Sequence, residues 1–288
     1  MAEDTIDINE KELTALISLL DDEDVEVTHH VEEKLMSLGT SIIPYLEKEW
    51  MKNSLIPDVR IKIEDIIHDL QYELLKERLL EWKTNGAEDL LEGLMLVANY
   101  QYPDLNLKFL TRKLEQFYYE AWKEFNGEYT PIQEVKILND IMYNRLKFRP
   151  NSKNFHSPSN GMINLVMESK KGNPLSLCVI YMLIAQKLKM PIYGVNLPNL
   201  FILTYKREDT QFYINVFNNG IIFTKEDIDN YIEQLHLSKL EVYYQPCSHL
   251  DIVMRALRNL IASFEKLGEY KKADDVKVLL QVLDHTKR

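Results

Sequence analysis

Residues 170–191, KKGNPLSLCVIYMLIAQKLKMP, limit what this chain can fold into more than any other stretch. From Leu175 to Ile184 nearly every side chain is apolar, so a helix here has no polar face. Such a helix must be covered on all sides by other elements. Asn173 suits the N-cap, Pro174 suits the first helical position, and the Met190-Pro191 bend ends the run. The run is too short to cross a bilayer. Covering it takes a sizeable core. The 288 residues are 45% hydrophobic, with 16 Tyr and 10 Phe, and can supply one. With only 9 Gly and 10 Pro, the covering elements should be mostly helices.

Charge removes some classes of partner. The formal net charge is -11, which repels nucleic acid and anionic lipid, so neither nucleic acid nor membrane is expected as a partner. The cations Arg145, Lys147, Arg149 and Lys153 read as a solvated loop rim. The opening MAEDTIDINEKEL lacks a basic n-region and an apolar h-region, so it does not read as a signal peptide. Cys178 and Cys247 make no disulfide framework. The expectation is a reduced, cytoplasmic protein with no cofactor.

Residues 9–80 read as antiparallel helices, with Asn9 as an N-cap and Gly39 as a stop signal. DDEDVEVTHHVEEKLMSLG and IPDVRIKIEDIIHDL resemble each other loosely, which suits either HEAT-type repeats or an ordinary bundle. Two helices follow over 86–126, split at Pro103. TPIQEVKILNDIMYNRL is a further helix capped by Thr130, with Pro131 at its first position. After the apolar helix the pattern changes. IYGVNLP, LFILTYK and QFYINVF read as strands of an antiparallel sheet. TKEDIDNYIEQL returns to helix with Thr224 as N-cap, and two helices joined at LGEY close the chain.

Several residues raise chemical questions. Cys178 lies inside the apolar helix, where a thiol is a small hydrophobe with a raised pKa, so its reading is structural. Ser176 is a candidate nucleophile only with a base in reach, and otherwise a first-turn capping residue. Cys247 and His249 supply two ligands, too few for a zinc site, and Ser248 beside them suits an N-cap. His29 and His30 are adjacent on a helix and cannot chelate together. Asn173, Ser176, Asn196 and Asn199 are a candidate polar groove, with Asn215, Asn218 and Asn219 on strand ends nearby; the asparagines equally suit turns. Arg255 and Asn259 share a helix face and read as structural, docking the tail onto the core.

The order KKGNPLSLCVIYMLIAQKLKMPIYGVNLP, FILTY, FYINVFNNG and then RALRNLIASFEKLGEYKKA resembles the transglutaminase-like family of regulators of sirC expression. The resemblance covers roughly residues 90–285. It implies a mostly helical α+β fold: a transglutaminase-like, papain-type core with a buried helix on a small antiparallel sheet, and a tetratricopeptide-like tail. With the residue pattern of the N-terminal helices, the expected division is 1–85 helical and HEAT-like, 86–240 core with preceding helices, and 241–288 helical hairpin. It also implies a Cys-His-Asp triad, whose positions fall on Pro174, Leu200 and Asn215 in this sequence. None of the three residue types is present. The expectation is a degenerate, non-catalytic protein that binds a protein or peptide partner. The alternative is a hydrolase or acyltransferase with its nucleophile relocated to Ser176 or Cys178.

Overall fold

A computed structural model describes residues 10–52 and 56–284. Asn9, read above as an N-cap, lies outside the described residues. The chain divides into two compact units, one ending at Arg78 and the other beginning at Leu79.

The first unit holds α1 (Glu10–Ser18), α2 (Val25–Ser37), α3 (Ile43–Trp50) and most of α4 (Pro57–Thr84). Asp24 accepts a hydrogen bond from the Glu26 amide and so caps α2. Apolar residues at helical spacing, including Leu13, Leu20, Leu35, Leu46 and Ile63, form its core. The Lys62 ammonium donates to the Leu20 carbonyl at 2.8 Å, tying α4 to the end of α1.

The second unit is α+β and mostly helical. It contains α5 (Leu90–Asn99), α6 (Leu107–Trp122), α7 (Pro131–Asp140), α8 (Ile163–Ser169), α9 (Pro174–Lys187), α10 (Lys225–Gln234), α11 (His249–Leu267) and α12 (Tyr270–Asp284). Two very short strands, β1 (Arg149–Pro150) and β2 (Lys171–Gly172), pair in parallel. β3 (Ile192–Leu197), β4 (Leu200–Arg207), β5 (Thr210–Asn215) and β6 (Ile221–Phe223) form an antiparallel sheet in sequential order. The strand pattern of the sequence revealed β3 to β5. It did not reveal β1, β2 or β6, which are too short to show an alternation of apolar and polar residues.

α9 is the centre of this unit. Leu177, Cys178, Val179, Ile180, Tyr181, Ile184 and Ala185 are fully buried. Its cover comes from α6, α8, β3, β4 and α11. A helix without a polar face thus finds helices on some sides and a sheet on another, as its composition demands.

The caps follow the sequence. Thr130, Thr224 and Ser248 each accept from the N3 amide of α7, α10 and α11, and each N3 side chain reaches back to its cap. Gly268 ends α11 at φ 76°, a left-handed conformation that favours glycine. One departure concerns α7, whose sequence reads as a single helix through Leu146. From Ile141 to Arg145 the chain widens into a π-turn, with the Leu146 amide donating to the Ile141 carbonyl at 2.8 Å. The wider turn buries Ile141, Met142 and Tyr143 together. Among the described residues no helix is long and apolar enough to cross a membrane.

Candidate functional site

The start of α9 is a capping box. The Asn173 side chain accepts from the Ser176 amide at 2.9 Å, and the Ser176 hydroxyl accepts from the Asn173 amide at 3.0 Å. The same hydroxyl donates to the Asn160 carbonyl at 2.6 Å. Pro174 takes the first helical position, where a missing N–H costs nothing. Next to this helix start lies a cavity of about 260 Å³. Asn173, Pro174 and Leu175 form one wall, and Phe155 and His156 come from the loop before α8. Asn199 and Phe201 come from the β3–β4 hairpin. The opposite wall is α11, through Arg255, Asn259, Ala262 and Ser263.

Arg255, Asn259 and Ser263 recur every four residues, so one face of α11 is polar where it meets the cavity. The Arg255 guanidinium donates through Nη1 to the Asn196 side-chain oxygen, and to the Leu197 carbonyl at 2.8 Å. Both bonds join α11 to β3. Both partners are neutral, and among the described residues Arg255 makes no ion pair. Burial lowers the Arg255 pKa, with the like charge of Arg258 acting in the same direction.

The residues singled out in the sequence are divided among several places. Asn173, Pro174, Asn199, Arg255 and Asn259 line the cavity. Ser176 is 5% exposed and spends its hydroxyl in the capping network. Asn196 is held by Arg255. Leu200 packs with Val195, Leu197 and Ile202 in the cluster beneath α10. Its neighbour Phe201 turns the other way and lines the cavity, as strand alternation requires. Asn215 caps the short turn after β5 by accepting from the Asn218 amide at 3.1 Å. Of the three positions that the resemblance gives to a triad, then, Pro174 lines the cavity, and Leu200 and Asn215 are not among its lining residues. His156 and Ser263 were missed as lining residues. Ser263 was legible from its spacing after Asn259, whereas His156 sits on a loop whose course the sequence does not give.

Neither thiol is poised for chemistry. Cys178 is fully buried, its Sγ 3.5 Å from the Phe201 carbonyl oxygen, and burial pushes its pKa far up. Burial likewise pushes the Cys247 thiol up to about 12, with Asp251 adding to the rise. His249 does not join Cys247 at a metal: its Nδ1 is 2.8 Å from the Glu88 carbonyl oxygen. Among the described residues no cluster of His, Cys, Asp and Glu could hold a metal ion. Of the basic rim, Arg145 is paired with Glu124 at 2.5 Å and with Asp140 at 3.6 Å.

Comparison with known proteins places this geometry. Residues 108–258 match the model of the transglutaminase-like superfamily, and the chain belongs to that superfamily. A UPF0162 protein of Xylella fastidiosa is 28% identical over 193 residues, covering 64% of this chain and 68% of that protein. Human F-box only protein 21 is 23% identical over 211 residues, covering 63% of this chain and only 33% of that protein. A UPF0162 protein of Pseudomonas aeruginosa is 29% identical over 115 residues, covering 39% of this chain and 42% of that protein. No solved structure matches the chain.

Proposed function

We propose that this member of the transglutaminase-like superfamily is a non-catalytic protein that binds a protein or peptide partner at the cavity beside the start of α9. In the order of the family pattern the Cys-His-Asp triad falls on Pro174, Leu200 and Asn215; none has the matching residue type, and of the three Pro174 lines the cavity. α11 and α12 act as a tetratricopeptide-like tail, and the first unit is a HEAT-like module. The observation that carries the proposal is the head of α9: the residues it turns to the cavity are Asn173, Pro174 and Leu175, none of which is a nucleophile. The sulfur nearest to Pro174 in sequence lies one turn deeper and is sealed from solvent. Thiolate, not thiol, is the attacking species, and a raised pKa withholds it. Similarity to an F-box only protein agrees with a role in protein interaction.

Relocation of the nucleophile to Ser176 finds no support. Its hydroxyl is engaged by Asn160 and Asn173, and no base is among its partners.

The test is alkylation of the native protein by iodoacetamide at neutral pH, read residue by residue by mass spectrometry. Cys178, which is fully buried, should react only at the rate of global or local unfolding; Cys247 is half-buried and should react slowly because its thiol pKa is raised. Rapid labelling of Cys178 on the folded protein would restore the enzyme reading. A partner retained on affinity purification by the native chain and lost by Ala262→Trp, which fills the cavity from its exposed rim, would identify the ligand of the site.

A further inference from the structure

The cavity walls are chemically selective. The chain has 45 Asp and Glu against 34 Lys and Arg, yet no carboxylate is among the described residues that line this cavity. One guanidinium is. Arg255 is part-buried, and among the described residues its hydrogen-bond partners are neutral and are met through Nη1. A guanidinium has five N–H groups. The two donated through Nη1 leave three, on Nε and Nη2, and that edge is the one that meets a carboxylate side-on with two parallel hydrogen bonds. Beside it on the same helix face stand Asn259 and Ser263, which can complete the hydrogen bonding of an oxyanion. The rest of the lining is mixed: Phe155, Pro174, Leu175, Phe201 and Ala262 are apolar, and His156, Asn173 and Asn199 are polar. At about 260 Å³ the space is below the range of sites for drug-sized ligands, about 300–1,000 Å³, and suits a single residue.

We propose that this cavity binds the C-terminal residue of a peptide, its free carboxylate on Arg255 and its apolar side chain against Phe155, Leu175 and Phe201. The proposal rests on the non-catalytic reading of the same cavity and gives it a ligand class. A chain terminus combines the two properties that the walls select, one negative charge and a small apolar body. An internal acidic side chain would bring a polar backbone on both sides into a space of single-residue size lined by Phe155 and Phe201. Arg255 is the only Lys or Arg among the described lining residues, which favours a monoanion over a phosphate dianion.

The test is a ¹H–¹⁵N NMR titration of the full chain with acetyl-Gly-Leu-Leu as the free acid, with the same peptide as its C-terminal amide, and with inorganic phosphate. The free acid should shift the resonances of residues lining the cavity in a saturable way, and the amide should not. Arg255→Lys keeps the charge and loses the fork, and should weaken binding about tenfold, the loss of one charge-assisted hydrogen bond. If that variant does not fold, Ala262→Trp leaves Arg255 in place and should abolish binding by filling the space. No binding of the acid, equal binding of acid and amide, or binding of phosphate as tight as that of the acid overturns the carboxylate assignment and leaves the non-catalytic reading intact. Cleavage of the peptide or its covalent incorporation, read by mass spectrometry in the same samples, overturns that reading instead.

Discussion

Cys178 takes its chemistry from its neighbours. The residues beside it in sequence are apolar on every side, and its burial follows from them. Cys178→Ala should destabilise the fold by about 1 kcal/mol, as for removal of one small buried group, and leave the reactivity of the folded protein unchanged. Urea midpoints of the two proteins give the first quantity and iodoacetamide labelling the second. The triad positions were less legible, because a family pattern gives order along the chain and not the face of a strand. Leu200 pairs with Leu197 across the hairpin and packs under α10, whereas Phe201 faces the cavity. A thiol introduced by Pro174→Cys should therefore show the same pH dependence of alkylation alone as with Leu200→His and Asn215→Asp added. A profile moved to lower pH in the triple variant would mean that the imidazole reaches the thiol after all. His156, Asn259 and Ser263 assemble at the cavity from a loop and a distant helix. No local pattern marks them as a group, although the four-residue spacing of Arg255, Asn259 and Ser263 puts three polar groups on one face.

Helices were easier to read than strands here, and the reason is physical. Each cap is a local exchange of hydrogen bonds between residues three apart, so Thr130, Asn173, Thr224 and Ser248 announce it in the sequence. β6 and the β1–β2 pair are formed by tertiary contact and carry no signal of their own. The hairpin of β3 and β4 contains a further tertiary constraint at Gly194. A Cβ there would stand 2.6 Å from the Phe201 ring, 3.2 Å from Ile252 and 3.3 Å from the Cys247 sulfur. These belong to β4, α11 and the loop before it, so relief at one neighbour presses on another. Gly194→Ala should cost about 1–3 kcal/mol, the range for overpacking, measured as a lowered urea midpoint. It should also perturb the cavity, since Phe201 lines it. A neutral outcome would mean that the sheet and α11 slide freely against each other.

For the molecule as a whole, the buried hydroxyls and thiol around α9 set an alkaline limit. Tyr143 donates to the Val216 carbonyl at 2.8 Å and Tyr181 to the Asn139 side-chain oxygen at 3.1 Å. Burial raises the pKa of both, and of Cys178 with them. Each therefore keeps its proton in the folded state at a pH where the unfolded chain has lost it. Their contribution is complete below about pH 8.5 for the thiol and about pH 10 for the phenols, and falls as pH rises beyond those values. Lys170 acts in the opposite sense. Burial lowers its pKa to about 8, so it adds stability as pH rises from there toward its unfolded value. Cys247, Tyr205 and Tyr244 are raised in the same way, so these groups together outweigh Lys170. The urea midpoint should fall steadily above pH 10, and Tyr143→Phe should flatten the fall. A midpoint constant from pH 8 to 11 would contradict the burial of these groups. The way α9 is covered also bears on biosynthesis. α6 and α8 precede it in the chain, but β3, β4 and α11 follow it. When a ribosome has released residue 187, the nascent protein carries a complete apolar cylinder with part of its cover still untranslated. Until α11 emerges, that surface is open to chaperones or to neighbouring chains, so a premature stop between 190 and 250 should yield an aggregating product rather than a smaller folded one.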